Sequence, residues 1–334
     1  MPKRWTAESM LTLARSYKPA CILAAAADLD LFSIFTDKPL TASEITAALG
    51  ADLRGTTILL DALASLEVVS KRAGRYTTGA AVRRLLTPTG QGSILAMVQH
   101  QANCLRRWTQ IAKVVKTGKP AEREPSIRGE EGDHESFIEA MDNIAAPTAT
   151  AFLSYLGPPQ FRHLLDIGGA SGTWTVAFLS ACPDGAATLF DLPPVIPLAK
   201  RRIGAAGLED RVAFVGGDFM VDPLPKGADL AWLSAIAHQN SREQNRRLFA
   251  SIHEALADGG QLFIRDVLMD DSRIAPIEGA LFAINMLVGT DGGGTFTFDE
   301  LREDLETAGL ASVSVIRRDP AMNSIVRAVK PSAR

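Results

Sequence analysis

Three acids and one histidine stand where apolar runs of this sequence stop: Asp166, Asp191, Asp218 and His238. A carboxylate in such a place accepts hydrogen bonds from hydroxyl and amino groups, and a histidine, ordinarily titrating near neutrality, takes a proton from a hydroxyl. Around the first acid, Leu164-Leu165-Asp166-Ile167-Gly168-Gly169-Ala170-Ser171-Gly172-Thr173-Trp174 passes from an apolar strand through glycines into a helical pattern. Glycines there let a ligand approach the backbone without a Cβ in the way, as in nucleotide-type sites at the carboxyl end of a parallel strand. The spacing Gly168-Gly169-x-x-Gly172, with the acid ahead of it, is not the G-x-G-x-x-G of dinucleotide sites. Asp191 closes the strand at 187–191, about 20 residues further on, where a ribose-binding acid belongs; a helix N-cap is its plainer use. Asp218 can accept from an adenine amino group while Phe219 packs on the ring, or Gly217-Asp218-Phe219 is simply a turn. His238 follows the fourth strand and is a candidate general base, the alternative being a structural or capping histidine.

The elements that must position these residues alternate from residue 163 onward. Strands are expected at 163–167, 187–191, 212–215, 229–233, 261–267 and 312–317, with helices at 173–181, 195–206, 242–257 and 298–308. That alternation predicts a parallel sheet covered on both faces, with ligands beyond the strand carboxyl ends. The first half reads differently. A helix is expected over 8–35, then a capping box at Thr41-Ala42-Ser43-Glu44 opening a helix that ends at Gly50, then a helix over 54–66 and a β-hairpin over 67–78. Helix, helix and hairpin in that order suggest a winged helix. Residues 100–115 and 137–156 read as helices, and 120–133 as a surface loop.

A winged helix raises the question of DNA. The segment 55–66, which would be the recognition helix, contains no Lys or Arg, whereas phosphate and base contacts need cations. The net charge of −3 gives no general attraction to nucleic acid either. Across 334 residues, 46% are hydrophobic and 22% charged, which fits two globular domains. The domain reading is a helical winged-helix domain over 1–135, serving dimerisation and substrate shaping, and a catalytic domain over 136–334. Cys21, Cys104 and Cys182 lie far apart, with no metal-binding spacing and no disulfide framework, which points to a reducing cytoplasm. No signal-peptide core follows the basic N-terminal residues, and no segment is long and apolar enough to span a bilayer.

Taken together, Leu-Leu-Asp-Ile-Gly-Gly-x-x-Gly at 164–172, Phe-Asp-Leu-Pro-x-Val at 190–195, Gly-Gly-Asp-Phe at 216–219 and Gly259-Gly260 resemble the S-adenosylmethionine (SAM)-dependent O-methyltransferases with an N-terminal winged-helix dimerisation domain. These are the caffeate, hydroxyindole and bacterial natural-product type, and the resemblance covers about residues 10 to 330. It implies an α/β fold, a class I SAM-methyltransferase Rossmann-like sheet behind a mainly helical winged-helix domain, and a homodimer formed through the N-terminal helices. It implies that Asp166, Gly168, Gly169 and Gly172 surround the methionyl part of SAM, that Asp191 with Leu192 holds the ribose, and that Asp218 and Phe219 hold the adenine. His238 falls at the place of the catalytic base, and Asp266 at that of an acid which orients it.

Three positions depart from the pattern. Gln239-Asn240 follows the base where Asp-Trp is usual, Ser234 stands beside the cofactor where a Lys is common, and Thr295 aligns where a second acid is usual. The expected reaction is an in-line displacement: a substrate oxygen loses its proton to His238 and attacks the sulfonium methyl, S-adenosylhomocysteine (SAH) leaves, and no metal takes part. The acceptor is expected to be a small aromatic or heteroaromatic hydroxyl compound in a pocket between the domains. Candidate walls are Trp108, Met141, Phe282, Asn285, Met286 and Thr290, all of which could equally be ordinary core. N- or C-methylation, SAM chemistry without methyl transfer, and a SAM-responsive winged-helix regulator are the competing readings.

Overall fold

Each acid and the histidine sits where a sheet strand ends. The computed structural model describes residues 4–156 and 160–332, and seven strands of the described residues form this sheet. In chain order they are β1 (His163–Ile167), β2 (Ala186–Asp191), β3 (Val212–Gly216), β4 (Ala228–Ser234), β5 (Leu256–Asp266), β6 (Ala311–Arg317) and β7 (Ser324–Val329). Their spatial order is β6-β7-β5-β4-β1-β2-β3. Strands β1 to β5 pair in parallel, and the order reverses between β1 and β4. Reversal leaves a crevice above the carboxyl ends of those two strands, the usual place for a ligand in an open α/β sheet.

Strand β7 corrects the all-parallel expectation. It pairs antiparallel with both β5 and β6. Residues 318–323 between β6 and β7 are too few for a crossover helix, so the chain can only return antiparallel. Strand β5 also begins at Leu256 rather than near 261, and the helix Ile277–Gly289 falls outside the expected set.

Both faces of the sheet are buried. Leu164, Leu230 and Trp232 pack on one side with Trp174 and Phe178 of the helix Thr173–Ala181. Leu165, Ile167 and Leu233 pack on the other with Phe249 and Ile252 of the helix Arg242–Ala255. Consecutive leucines thus serve opposite faces, as the two-residue period of a strand requires.

The chain divides into two compact units. One comprises Met1–Arg106 and Arg123–Asn143, the other Arg107–Glu122 and Ile144–Arg334. In the first, the helix expected over 8–35 is broken. Ala7–Ala14 and Tyr17–Asp28 are separate helices, and a 3-10 turn at Leu31–Ile34 follows Asp30, whose φ is 48°. The capping box forms: Thr41 Oγ1 accepts from Glu44 N–H (3.2 Å) and Glu44 Oε2 from Thr41 N–H (2.6 Å). The helix Leu53–Ser65 starts early enough to take Arg54 into its first turn. Ser70–Arg72 and Arg75–Thr77 form the hairpin, and Leu40–Thr41 adds a third strand. Ala26, Phe32, Ile45, Leu60 and Leu63 form the core beneath it. Residues 129–133, expected in a loop, open the helix Gly129–Leu156, where Asp133 accepts from Ser126 N–H and Oγ. The helix expected over 100–115 is two, Leu95–Trp108 and Ile111–Thr117. No helix of the described residues is long and apolar enough to cross a membrane.

Candidate active site

The glycine turn packs closely on its own domain: a Cβ would stand 2.7 Å from Leu189 Cγ at Gly169 and 2.8 Å from Ile203 Cδ1 at Gly172, and both glycines are buried. Gly168, Ala170 and Gly172 have φ of 67°, 47° and 79°, so the chain reverses within five residues of β1. Gly168 is the position with least freedom. Its φ is left-handed, and a Cβ there would stand 2.7 Å from Ile236 Cδ1. Phe219 Cε1 lies 3.8 Å from the same point, so the aromatic residue after β3 reaches the turn after β1.

Asp191 ties the turn to β2. Its Oδ2 accepts from Ala170 N–H (2.7 Å) and its Oδ1 from Leu192 N–H (2.7 Å). Each oxygen keeps a second lone-pair direction, which is what two neighbouring ribose hydroxyls need. Burial holds this carboxyl above the usual carboxylate range, against the pull of its two backbone donors. Asp218 closes a small turn of its own, Oδ1 accepting from Met220 N–H (2.9 Å). A tight left-handed turn, a two-acceptor acid and a nearby aromatic ring fit a nucleoside carrying an amino-acid chain.

Asp166 lies deeper. It is 1% exposed, and its Oδ2 accepts from Thr175 Oγ1 at 2.6 Å. Burial pushes its pKa up to about 7, the charge of Asp191 adding to the effect and the Thr175 hydrogen bond opposing it. On the same side of the sheet, Arg265 is 2% exposed. Its Nη1 donates to Ser234 Oγ (3.1 Å), its Nε and Nη2 to Asn323 Oδ1 (3.0 and 2.7 Å), and its guanidinium lies 5.0 Å over the Trp174 ring. Burial lowers its pKa to about 10, while the charges of Asp266 and Asp319 work the other way.

His238 and Asp266 meet. His238 Nδ1 lies 2.8 Å from Asp266 Oδ1 and 3.0 Å from Oδ2, and the His238 N–H donates to Oδ2 at 3.2 Å. Asp266 Oδ1 also accepts from Val267 N–H at 2.7 Å. A carboxylate beside Nδ1 fixes the proton there and leaves the Nε2 lone pair as the basic site. The loop that delivers the histidine is held tightly. Ala235 turns the chain with φ of 59°, and its N–H donates to Arg265 O (2.9 Å). Buried Asn245 donates to Ala237 O (2.9 Å) and accepts from Asn240 (3.1 Å). Gly294 N–H donates to His238 O (2.9 Å), and a Cβ on Gly293 would stand 2.5 Å from that same oxygen.

The candidate acceptor walls separate into groups. Phe282 stands edge-on to the His238 ring, centroids 4.8 Å apart, and Trp108 Nε1 donates to Asn285 Oδ1 at 3.0 Å. Met286 is buried and its carbonyl accepts from Thr290 Oγ1, which in turn accepts from Gly293 N–H; these residues finish the helix Ile277–Gly289. Met141 lies half-buried in the first unit. Thr295 is buried and its carbonyl accepts from Arg273. Arg265, Asn245 and Thr175 are absent from the sequence reading. Only Arg265 had a local signal, as a cation within the expected strand at 261–267. Among the described residues no group of three or more His, Cys, Asp or Glu gathers to hold a metal ion.

Comparison with known proteins gives the following. The family model of the O-methyltransferase domain matches residues 111–311, and that of the O-methyltransferase dimerisation domain residues 11–88. The chain is 33% identical to 3-hydroxy-5-methyl-1-naphthoate 3-O-methyltransferase of Streptomyces sahachiroi, over 92% of this chain and 91% of the relative. It is 31% identical to the N,N-dimethyltransferase OxyT of Streptomyces rimosus, over 97% of each. Among solved structures, that of human N-acetylserotonin methyltransferase in complex with SAM superposes with a TM-score of 0.81 at 25% identity, covering 99% of this chain and all of that one.

Proposed function

Since this chain belongs to the SAM-dependent O-methyltransferase family, we propose that it methylates a hydroxyl of a small aromatic or heteroaromatic compound with His238 as general base. The enzyme is a homodimer that carries its family's dimerisation domain at 11–88. The bound cofactor supplies an electrophilic methyl group on a sulfonium centre. The chain's own residues do the rest. The turn at Gly168, Gly169 and Gly172 takes the amino-acid part, with Asp166 beneath it bonded to Thr175. Asp191, beside Leu192, accepts from the ribose hydroxyls, Asp218 and Phe219 take the adenine, and Ser234, held by Arg265, lines the edge. His238 removes the acceptor proton through Nε2, and Asp266 keeps the ring in the right tautomer and stabilises the imidazolium. Phe282, Asn285 and Trp108 orient a flat ring, with Met286 and Thr290 as further walls. Residues 1–135 serve dimerisation and substrate shaping, and 136–334 catalysis. A cytoplasmic setting fits three free cysteines.

The observation that carries the reading is the His238–Asp266 pair set against Phe282. His238→Ala is expected to lower turnover by about 100-fold or more while SAH binds within about twofold of wild type. A retained rate would remove His238 from the chemistry. Similarity to an N,N-dimethyltransferase favours one second reading, methylation of an amine. An amine that is neutral at the working pH attacks without losing a proton first, so the same variant would then keep its rate.

A further inference from the structure

Two turns of helix beyond the ring that faces His238 stands a cation that pairs with none of the described residues. Arg107 is half-buried, and among the described residues it makes neither an ion pair nor a side-chain hydrogen bond. It lies against the helix Ile277–Gly289 at Gly289, where a Cβ would stand 3.2 Å from its Nη1. Residues 282, 285 and 289 follow the i, i+3, i+7 rhythm of one helix face. That face therefore carries, in order, Phe282 beside the base, Asn285 fixed to Trp108, and Gly289 beneath Arg107. The neighbouring Trp108 is anchored by its Asn285 hydrogen bond, which holds the end of the helix Leu95–Trp108 in place. Of the acids near Gly289, Asp291 is exposed and does not pair with Arg107, and Glu122 is taken by Lys113 at 2.7 Å.

We propose that Arg107 is the receptor for an anionic group on the acceptor, so that the substrate is an aromatic hydroxy acid rather than a neutral phenol; this rests on the methyl transfer argued above. The seven helical steps from Phe282 to Gly289 span about 10 Å. A naphthalene-sized ring with a hydroxyl at the base and a carboxylate toward Arg107, each at hydrogen-bond distance, matches that length. A guanidinium is suited to a planar carboxylate because two parallel N–H donors match its two oxygens. The naphthoate named for the Streptomyces sahachiroi relative is a compound of this class.

The plainer use of Arg107 is to balance the carbonyl end of the helix Ile277–Gly289, and the test separates the two. The probes are 3-hydroxy-1-naphthoate, its carboxamide and 2-naphthol, with SAM-loaded dimer. Wild type is expected to use the acid at least about tenfold better in kcat/KM than the amide, the size of a charge-assisted pair. Arg107→Met should bring the two to parity by weakening the acid alone, and Arg107→Lys should keep part of the preference. A helix-end role alone would lower the melting temperature and leave the acid-to-amide ratio unchanged, which overturns the proposal. So would equal use of acid and amide by wild type. The ratio is read a second time by calorimetric binding of acid and amide to the SAH-loaded protein. If no probe is methylated yet the acid binds preferentially through Arg107, the reaction fails and the anion site stands.

Discussion

Asp166 shows how much a single carboxyl can weigh. It is sealed from water and bound to Thr175, and its pKa is pushed up to about 7. In the unfolded chain an aspartate loses its proton near pH 4. Between about pH 4 and 7 the folded protein therefore holds a proton that the unfolded one has released, and stability falls as pH rises through that window. At roughly 1.4 kcal/mol per pH unit the loss is of the order of 4 kcal/mol. Asp166→Asn keeps an acceptor for the Thr175 hydroxyl and removes the charge. Urea midpoints at pH 5 and pH 8 should lie closer together in this variant than in wild type. An unchanged gap would mean that Asp166 is ionised in the fold. Both oxygens of Asp191 also hold backbone N–H groups of the turn, so removing them reaches beyond the cofactor. Asp191→Ala should thus weaken SAH binding about tenfold or more and also lower the melting temperature, and calorimetry paired with a thermal melt reads both. A loss of binding without a loss of stability would mean that the turn stands without it.

At the scale of elements, the loop between β4 and the helix Arg242–Ala255 decides where the histidine points. Ala235 takes a left-handed conformation that costs a non-glycine residue about 1–2 kcal/mol. Ala235→Gly is expected to leave stability level or raise it by up to about 1 kcal/mol, and Ala235→Val to lower it by about 2 kcal/mol together with turnover. Denaturant unfolding checks both, and a valine as well tolerated as glycine would mean that the loop has another shape. Much of this scale was legible in the sequence. Apolar strands ending in Asp166 and Asp191, the capping box at Thr41 and the glycines at 168–172 carry their structure in local chemistry. What escaped was set by distant partners. Strand β7 is six ordinary residues whose role comes from the open edge of β5, whereas the break at Arg15–Ser16 did carry a local signal, Pro19 in the first turn of the second helix. The site divides the same way. His238 and Asp266 could be named, but 28 residues separate them, and only the parallel pairing of β4 with β5 brings them together. Arg265 and Asn245 act through neighbours that no spacing announces.

The whole molecule carries an apolar surface where its first two helices lie. Met10, Leu11, Leu13 and Tyr17 are all about half exposed, with Leu11 at 51% and Leu13 at 57%. In a protein whose family dimerises through this domain, that surface is the expected seat of the second copy. Leu11→Asp with Leu13→Asp touches no core of the single chain, so sedimentation at micromolar concentration should give a folded monomer. A persisting dimer would place the contact elsewhere. One feature inside the molecule also has an optical meaning. The chain has four tryptophans, and two of them, Trp174 and Trp232, lie 4.8 Å apart, with the Arg265 guanidinium over the first. Trp174 is the second residue after Gly172 and Trp232 runs alongside Asp166. Two indoles that close share their excited state, and a cation over one of them shifts its emission. The enzyme thus contains a chromophore pair wired to its glycine turn, and filling the site should change its near-ultraviolet dichroism and fluorescence with no label added.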